Sequence, residues 1–301
     1  MLGHLTTELL LAAGLDPAEV EQTVRTALDE DLRYGPDVTS AATAPPGARA
    51  TAGVVARRPG TLAGLPVALA VLDLAGLPAE GAKLLSADGD RVRPGTEVLR
   101  VDAPLRELLG AERTLLNFLT HLSGVATATR AWADALAGSG CVVRDTRKTL
   151  PGLRLLEKYA VRCGGGHNHR LGLGDAALIK DNHVVAAGSI TKAIAAVRAA
   201  APALPLEVEC DTLDQVLEAL EAGATLILLD NMDPSGLRSA VLLAAGYPDV
   251  RLEASGGLRL DQAREVAATG VDFVSVGALT HSSPALDLGL DLGLDLAAAS
   301  C

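Results

Sequence analysis

From Cys141 to Val276 the chain repeats one local pattern, a short apolar run followed by a stretch with helical spacing, and this alternation constrains the fold more than any other feature. The runs are Cys141–Arg144, Ala176–Lys180, Leu206–Cys210, Leu226–Asp230, Arg251–Ser255 and Asp272–Val276, six candidate strands in all. Helices fit between them at Leu153–Val161, Ile190–Ala200, Leu213–Ala222, Pro234–Ala245 and Asp261–Thr269. Such an order builds either an open doubly wound sheet or a barrel. No GxGxxG stands at a first strand-to-helix turn, which weakens the dinucleotide-binding option. Each run also stops at polar or glycine residues: Thr146-Arg147-Lys148, Lys180-Asp181-Asn182, Glu209 with Asp211, Asp230-Asn231, Ser255-Gly256-Gly257, and Ser275 with Gly277. One such ending is a helix cap or a loop. Six in succession point to the catalytic face of an α/β barrel with fewer than eight strands.

The first part of the chain reads differently. Asp16-Pro17 supplies a cap and a first-turn proline for a helix ending near Asp31, with Val20, Val24, Ala27 and Leu28 on one face. Short segments follow at Ala48–Arg57, Pro66–Ala75 and, after the Arg93-Pro94-Gly95 turn, Glu97–Asp102. Glycine and proline separate them, unlike a regular βα repeat. The expectation is an α/β protein in which an N-terminal α+β sandwich-like domain, residues 1–112, precedes an incomplete, about six-stranded α/β barrel over residues 113–284. A long helix, Ala111–Leu136, bridges them. In the tail, leucines from Leu286 to Leu296 alternate with Asp or Gly, a period of two that predicts a strand over 285–296 at the edge of the first domain's sheet.

Charge narrows the function. Arg144 to His183 holds eight Lys or Arg against four Asp or Glu, so it carries +4 in a chain of formal charge −11. A basic island in an acidic protein fits a small anionic ligand better than a nucleic acid, which needs a basic face. Aromatic residues make up only 2%, too few for base-stacking platforms. The cysteines, Cys141, Cys163, Cys210 and Cys301, form no CxxC pair, which argues for reduced thiols rather than a disulfide framework. Leu9–Ala13 lacks a basic segment before it, and no apolar run reaches the roughly 20 residues that span a bilayer, so a cytoplasmic protein without membrane or nucleic-acid partners is expected.

The candidate chemistry lies at the strand ends. Arg147, Lys148, His169, Arg170 and Lys180 combine forks suited to carboxylates with compact charges suited to phosphates. The plainer alternative is a set of structural ion pairs with Glu157, Asp175 and Asp181. Ser255-Gly256-Gly257 and Val276-Gly277-Ala278 follow the last two strands, where glycine loops offer backbone N–H groups to a phosphate; either is otherwise a plain turn. Glu209 and Asp230 end neighbouring strands, and hard oxygen ligands facing a phosphorylated compound suit Mg²⁺ or ribose hydroxyls. His167, His169 and His183 show no transition-metal spacing.

These residues sit in runs that resemble the quinolinate phosphoribosyltransferase family: ERTLLN from Glu112, HLSGVAT from His121, DTRKTLPGLR from Asp145, EKYAVRCGGGHNHRLGL from Glu157, LIKDNH from Leu178, LEVEC from Leu206, LLDNM from Leu228, EASGG from Glu253 and VSVGALTHS from Val274. EDLRYGPDVTS also resembles the family's entry segment, with Pro36 as a departure. The resemblance implies transfer of phosphoribose from phosphoribosyl pyrophosphate to quinolinate with loss of CO₂, with Mg²⁺ as cofactor. It implies that Arg147, His169, Arg170 and Lys180 bind the quinolinate carboxylates, that Lys148 lies near the phosphates, and that Thr146 is substrate-binding. Glu209 and Asp230 are then near ribose and Mg²⁺, and Ser255, Gly256, Gly257, Val276, Gly277 and Ala278 hold the 5-phosphate. Lys148, Lys180, Glu209 and Asp230 form the expected catalytic set. The enzyme is expected to be a homodimer in which Arg113 reaches the partner's quinolinate. Alternatives are a related enzyme acting on another aromatic acid, a Schiff-base aldolase using Lys180, and a phosphosugar sensor.

Overall fold

The computed structural model describes residues 1–293 and divides into two compact units. The first comprises Met1–Ala128, Leu150–Gly165 and the chain from Ser282 onward. It begins with α1 (His4–Ala12), α2 (Pro17–Leu32) and α3 (Val38–Thr43). As expected, Asp16 caps α2, its carboxylate accepting the Ala18 N–H at 2.8 Å. Then come β1 (Arg49–Ala56), β2 (Gly60–Thr61), α4 (Leu65–Leu74), β3 (Ala82–Leu84), β4 (Arg91–Val92), β5 (Glu97–Pro104) and α5 (Leu105–Leu136). Helix α4 is apolar all round and is buried from Leu65 through Leu72, at the centre of this unit's core. In β1, Ala50, Ala52, Val54 and Ala56 alternate inward, giving the sheet one apolar face.

The tail strand, Leu288–Gly293, pairs antiparallel with β1, so the sheet order is tail strand, β1, β5, β3. Its leucine stripe is only partly covered: Leu286 and Leu288 are buried, whereas Leu292 is 40% exposed. Leu294 and Leu296, the remainder of the expected stripe, lie outside the described residues.

Two expectations about organisation are corrected. Helix α5 begins six residues before Ala111, because Leu105, Leu108, Ala111 and Leu115 bury one continuous face through Gly110. The expected boundary between residues 112 and 113 therefore falls inside a helix, and the compact units divide at Ala128 and Thr129 instead. Helix α6 (Arg154–Cys163), expected among the barrel helices, belongs to the first unit. Its Leu156, Tyr159, Ala160 and Val161 join that unit's core, Tyr159 Oη donates to Asp88 Oδ2 at 2.5 Å, and Glu157 meets His121 Nε2 at 2.9 Å.

The second unit, Thr129–Thr149 and Gly166–His281, carries all six expected strands: β6 (Val142–Arg144), β7 (Ala177–Ile179), β8 (Leu206–Cys210), β9 (Leu226–Asp230), β10 (Arg251–Ser255) and β11 (Phe273–Ser275). They form one parallel sheet in the order β6-β11-β10-β9-β8-β7. Helices α7 (Asp181–Ala187), α8 (Ile190–Ala200), α9 (Leu213–Glu221), α10 (Pro234–Ala244), α11 (Ala263–Ala267) and α12 (Ala278–His281) follow the strands. Ser189, Thr212 and Asp233 cap α8, α9 and α10 through their side-chain oxygens. Along the strands Val208, Cys210, Ile227, Leu229, Leu252, Ala254 and Val274 are buried on one face. The period of two turns Glu207, Glu209, Leu228, Asp230, Glu253, Ser255 and Ser275 to the other. Cys141, Cys163 and Cys210 form no disulfide among the described residues, and Cys301 lies outside them. Among the described residues no helix is long and apolar enough to cross a membrane.

Candidate active site

A cavity of about 390 Å³ opens at the carboxyl ends of the strands of the second unit. Thr146, Arg147 and Lys148 reach it from the loop after β6, His169 and Arg170 from the loop before β7, Leu178 from β7, and Lys180 from the residue between β7 and α7. Glu209 comes from β8, Leu228 and Asp230 from β9, Ser255 from β10 and Ser275 from β11. Every strand of the sheet, both edges included, thus contributes to one cavity, so the sheet curls into an incomplete barrel whose gap lies between β6 and β7.

Nine residues singled out in the sequence meet here: Thr146, Arg147, Lys148, His169, Arg170, Lys180, Glu209, Asp230 and Ser255. Gly256, Gly257, Val276 and Gly277 are in the turns that follow β10 and β11, and Ala278 begins α12; all five are outside the cavity lining. Gly277 lies against Lys148, since a Cβ there would come 2.8 Å from Lys148 Cδ. Thr280 Oγ1 donates to the Lys148 carbonyl at 2.6 Å, so α12 supports the basic loop. Arg113 is exposed on α5 in the first unit and does not line this cavity.

The cations are held in different ways. Arg170 is half-buried and its Nη1 donates to the Ala176 carbonyl at 3.0 Å. Burial first, then the charge of Arg147, lower its pKa, while Asp175 and Glu207 oppose this. Arg147 Nε is buried and has no hydrogen-bond partner among the described residues. Lys180 Nζ is ion-paired with Glu209 Oε2. Asp230 Oδ2 accepts Asn231 Nδ2 at 2.6 Å, and Asn231 takes a left-handed φ of 55°.

Behind the lining is a buried polar cluster that reading the sequence did not single out. Glu253 accepts both Arg144 Nη1 and Ser275 Oγ. Its pKa is raised by burial and then by the charge of Glu207, with Arg144 and His169 pulling the other way. His169 Nε2 lies 2.7 Å from Glu207 Oε2 and 3.7 Å from Glu253 Oε1. Its Nδ1 accepts the Arg170 backbone N–H at 2.8 Å. His169 was expected to meet a substrate carboxylate. Its ring lines the cavity, but both ring nitrogens have protein partners. By distance alone His169, Glu207 and Glu253 form a group with metal-ligand spacing, yet Arg144 already supplies the positive charge on Glu253. The signal for this cluster was present: strand parity puts Glu207 on the same face as Glu209.

The site gathers Arg, Lys, His, Asp and Glu side chains around a small cavity at the position where α/β barrels carry their chemistry. Residues 37–123 match the family model for the quinolinate phosphoribosyl transferase N-terminal domain, and residues 125–291 that for its C-terminal domain. The chain is 55% identical over 272 residues to the nicotinate-nucleotide pyrophosphorylase (carboxylating) of Mycobacterium leprae (strain TN), spanning 89% of this chain and 95% of the relative. The Homo sapiens protein of the same name is 40% identical over 284 residues, spanning 93% and 94%. The solved structure of the nicotinate-nucleotide pyrophosphorylase from Francisella tularensis superposes with a TM-score of 0.85 at 36% identity, covering 93% of this chain and 98% of that one. With both domain models matched along most of its length, the chain belongs to the quinolinate phosphoribosyltransferase family.

Proposed function

We propose that this chain transfers the phosphoribosyl group of phosphoribosyl pyrophosphate to the ring nitrogen of quinolinate and releases the 2-carboxylate as CO₂, giving nicotinate mononucleotide and pyrophosphate for NAD synthesis. The observation that carries this is the pair Arg147 and Arg170: two guanidinium groups share one cavity, the charge of Arg147 makes that of Arg170 costlier, and Arg147 Nε is buried without a hydrogen-bond partner among the described residues. Such an arrangement calls for an anion, and a planar dicarboxylate offers two. Leu178 and Leu228 add apolar surface for a pyridine ring. The names of the M. leprae and human relatives support the same activity.

On this reading Arg147, Arg170 and Lys180 hold the carboxylates and orient the ring nitrogen toward the ribose. The bond from C1′ to the pyrophosphate oxygen breaks with its electron pair leaving on pyrophosphate, and the nitrogen lone pair forms the new bond. Positive charge develops at C1′, where the carboxylates of Glu209 and Asp230 are suited to stabilise it, while Lys148 neutralises phosphate. The donors also suit Mg²⁺: Glu209 shares one oxygen with Lys180 and Asp230 one with Asn231, and each carboxylate has a second, hard oxygen. When bound with the pyrophosphate, Mg²⁺ supplies charge that eases its departure. Loss of CO₂ then leaves an electron pair on C2 beside the new pyridinium nitrogen, and a proton completes the product.

The Ser255–Gly257 and Val276–Ala278 turns are assigned to the 5-phosphate, for which backbone N–H groups are suited. The exposed position of Arg113 supports a homodimer in which that residue is shared between subunits. Cysteines left out of disulfides among the described residues support a cytoplasmic setting. An aldolase reading loses ground because Lys180 is ion-paired rather than in the apolar surroundings that activate an imine-forming lysine.

The test is turnover by the purified protein with Mg²⁺, phosphoribosyl pyrophosphate and either quinolinate or nicotinate, following CO₂ and the mononucleotide. Nicotinate leaves a cation unpaired, so quinolinate is expected to be preferred by about 100-fold or more in kcat/KM. Comparable values for the two acids would refute the reading.

A further inference from the structure

Both ring nitrogens of His169 are engaged, and the partners define its tautomer. Because Nδ1 accepts the Arg170 N–H, the ring proton sits on Nε2 and is donated to Glu207. Glu253 is a poor substitute acceptor, since it lies 3.7 Å away and its two oxygens already receive Ser275 and Arg144. The segment carrying Arg170 is tied at three points: the His169 N–H to Asp145 Oδ1 at 2.8 Å, the Arg170 N–H to the imidazole, and the guanidinium to the Ala176 carbonyl. Only the middle tie depends on a tautomer. Glu207 is 3% exposed, its Oε1 is buried without a hydrogen-bond partner among the described residues, and it does not line the cavity. A carboxylate in that position is expensive to keep and stands outside the cavity lining; its charge favours that of Arg170, and its hydrogen bond among the described residues goes to His169.

We infer that Glu207 is a positioning residue for the aromatic acid: by accepting Nε2–H it holds His169 in the tautomer whose Nδ1 lone pair anchors the Arg170 backbone, and this directs the Arg170 guanidinium beside Arg147. The inference rests on the reading that Arg147 and Arg170 bind the carboxylates of a pyridine dicarboxylate. Without Glu207 the ring can adopt the Nδ1–H form, which points one N–H at another and displaces the Arg170 segment. Phosphate binding, assigned to Lys148 and the turns after β10 and β11, does not run through this chain of contacts.

The experiment compares full-length wild type with Glu207→Leu, varying quinolinate and phosphoribosyl pyrophosphate separately, and records the ¹H–¹⁵N correlations of the His169 ring without substrate. For Glu207→Leu the KM for quinolinate is expected to rise about tenfold or more, as for loss of one orienting hydrogen bond to a charged group, with the KM for phosphoribosyl pyrophosphate within about twofold. The Nε2–H signature of His169 in the wild type should be lost. Glu207→Gln keeps an acceptor oxygen and should bring the quinolinate KM back to within about threefold of wild type. If the leucine variant does not fold, Glu207→Asp, which draws the carboxylate back by one methylene, carries the same test. An unchanged quinolinate KM, equal rises in both KM values, no rescue by glutamine, or an Nδ1–H ring in the wild type overturns the inference. A wild type inactive on quinolinate would instead refute the substrate reading, and the ring spectra would still decide whether Glu207 sets the tautomer.

Discussion

Replacing Gly256 or Gly257 by alanine separates two physical demands on the turn after β10. Gly257 has φ +59° with nothing within 4 Å of the place a methyl group would occupy, so alanine there meets backbone strain alone, about 1–2 kcal/mol. Gly256 has φ +94°, and a Cβ would lie 2.3 Å from Asn231 Oδ1 and 2.7 Å from the Asn231 backbone nitrogen. The side-chain oxygen can rotate away. The nitrogen cannot, because it donates to the Ser255 carbonyl at 2.9 Å and continues the β9–β10 ladder. Relief requires the ends of β9 and β10 to part, so strain and overlap together cost about 2–5 kcal/mol. Calorimetry should then show Tm falling by about 2–3 °C for Gly257→Ala and about 3–8 °C for Gly256→Ala. Asp230 and Ser255 line the cavity from those same strand ends, so Gly256→Ala should also raise the KM for phosphoribosyl pyrophosphate more than Gly257→Ala does. Equal losses of stability in the two variants, or a Gly256→Ala protein melting within about 1 °C of wild type, would refute the reasoning.

Lys148→Ala and Lys180→Ala should each lower kcat/KM by roughly 30- to 1,000-fold, the worth of one charge-assisted contact in a dry site, and near-wild-type turnover in both would show that neither ammonium meets a substrate. Excess chelator should abolish turnover and added Mg²⁺ restore it; full activity in chelator would remove the metal from the mechanism. Arg113→Ala and Lys180→Ala proteins should each be nearly inactive, yet refolding them together should recover about a quarter of all sites in a two-fold dimer, because one site of each mixed dimer regains both groups. If mass analysis verifies exchange and activity does not rise, Arg113 does not act across an interface.

Much of the barrel was legible because its signals are local. β8, β9 and β10 have the expected bounds, since each is a short apolar run closed by polar or glycine residues, and Asp16, Ser189, Thr212 and Asp233 announce helix starts by side-chain chemistry. Helix α6 was less legible in one respect. Its apolar stripe is plain in the sequence, but a stripe does not say which core it covers, and this one covers the core of the first unit.

By itself the sequence determined the parallel α/β order, the gathering of polar residues at the strand ends, and the cations Arg147, Lys148, Arg170 and Lys180 that line the cavity there, because alternation and charge are properties of neighbours along the chain. Tertiary structure alone decided how those groups are paired. Parity puts Glu207 and Glu209 on one strand face, but only the parallel register and the curl of the sheet send Glu209 to Lys180 at the cavity and Glu207 to His169 beneath it. Arg144 counts toward the basic island in the sequence and is taken up by Glu253 in the fold, 109 residues away. A buried charge is defined by what faces it across strands, and that information does not exist until the chain has closed on itself.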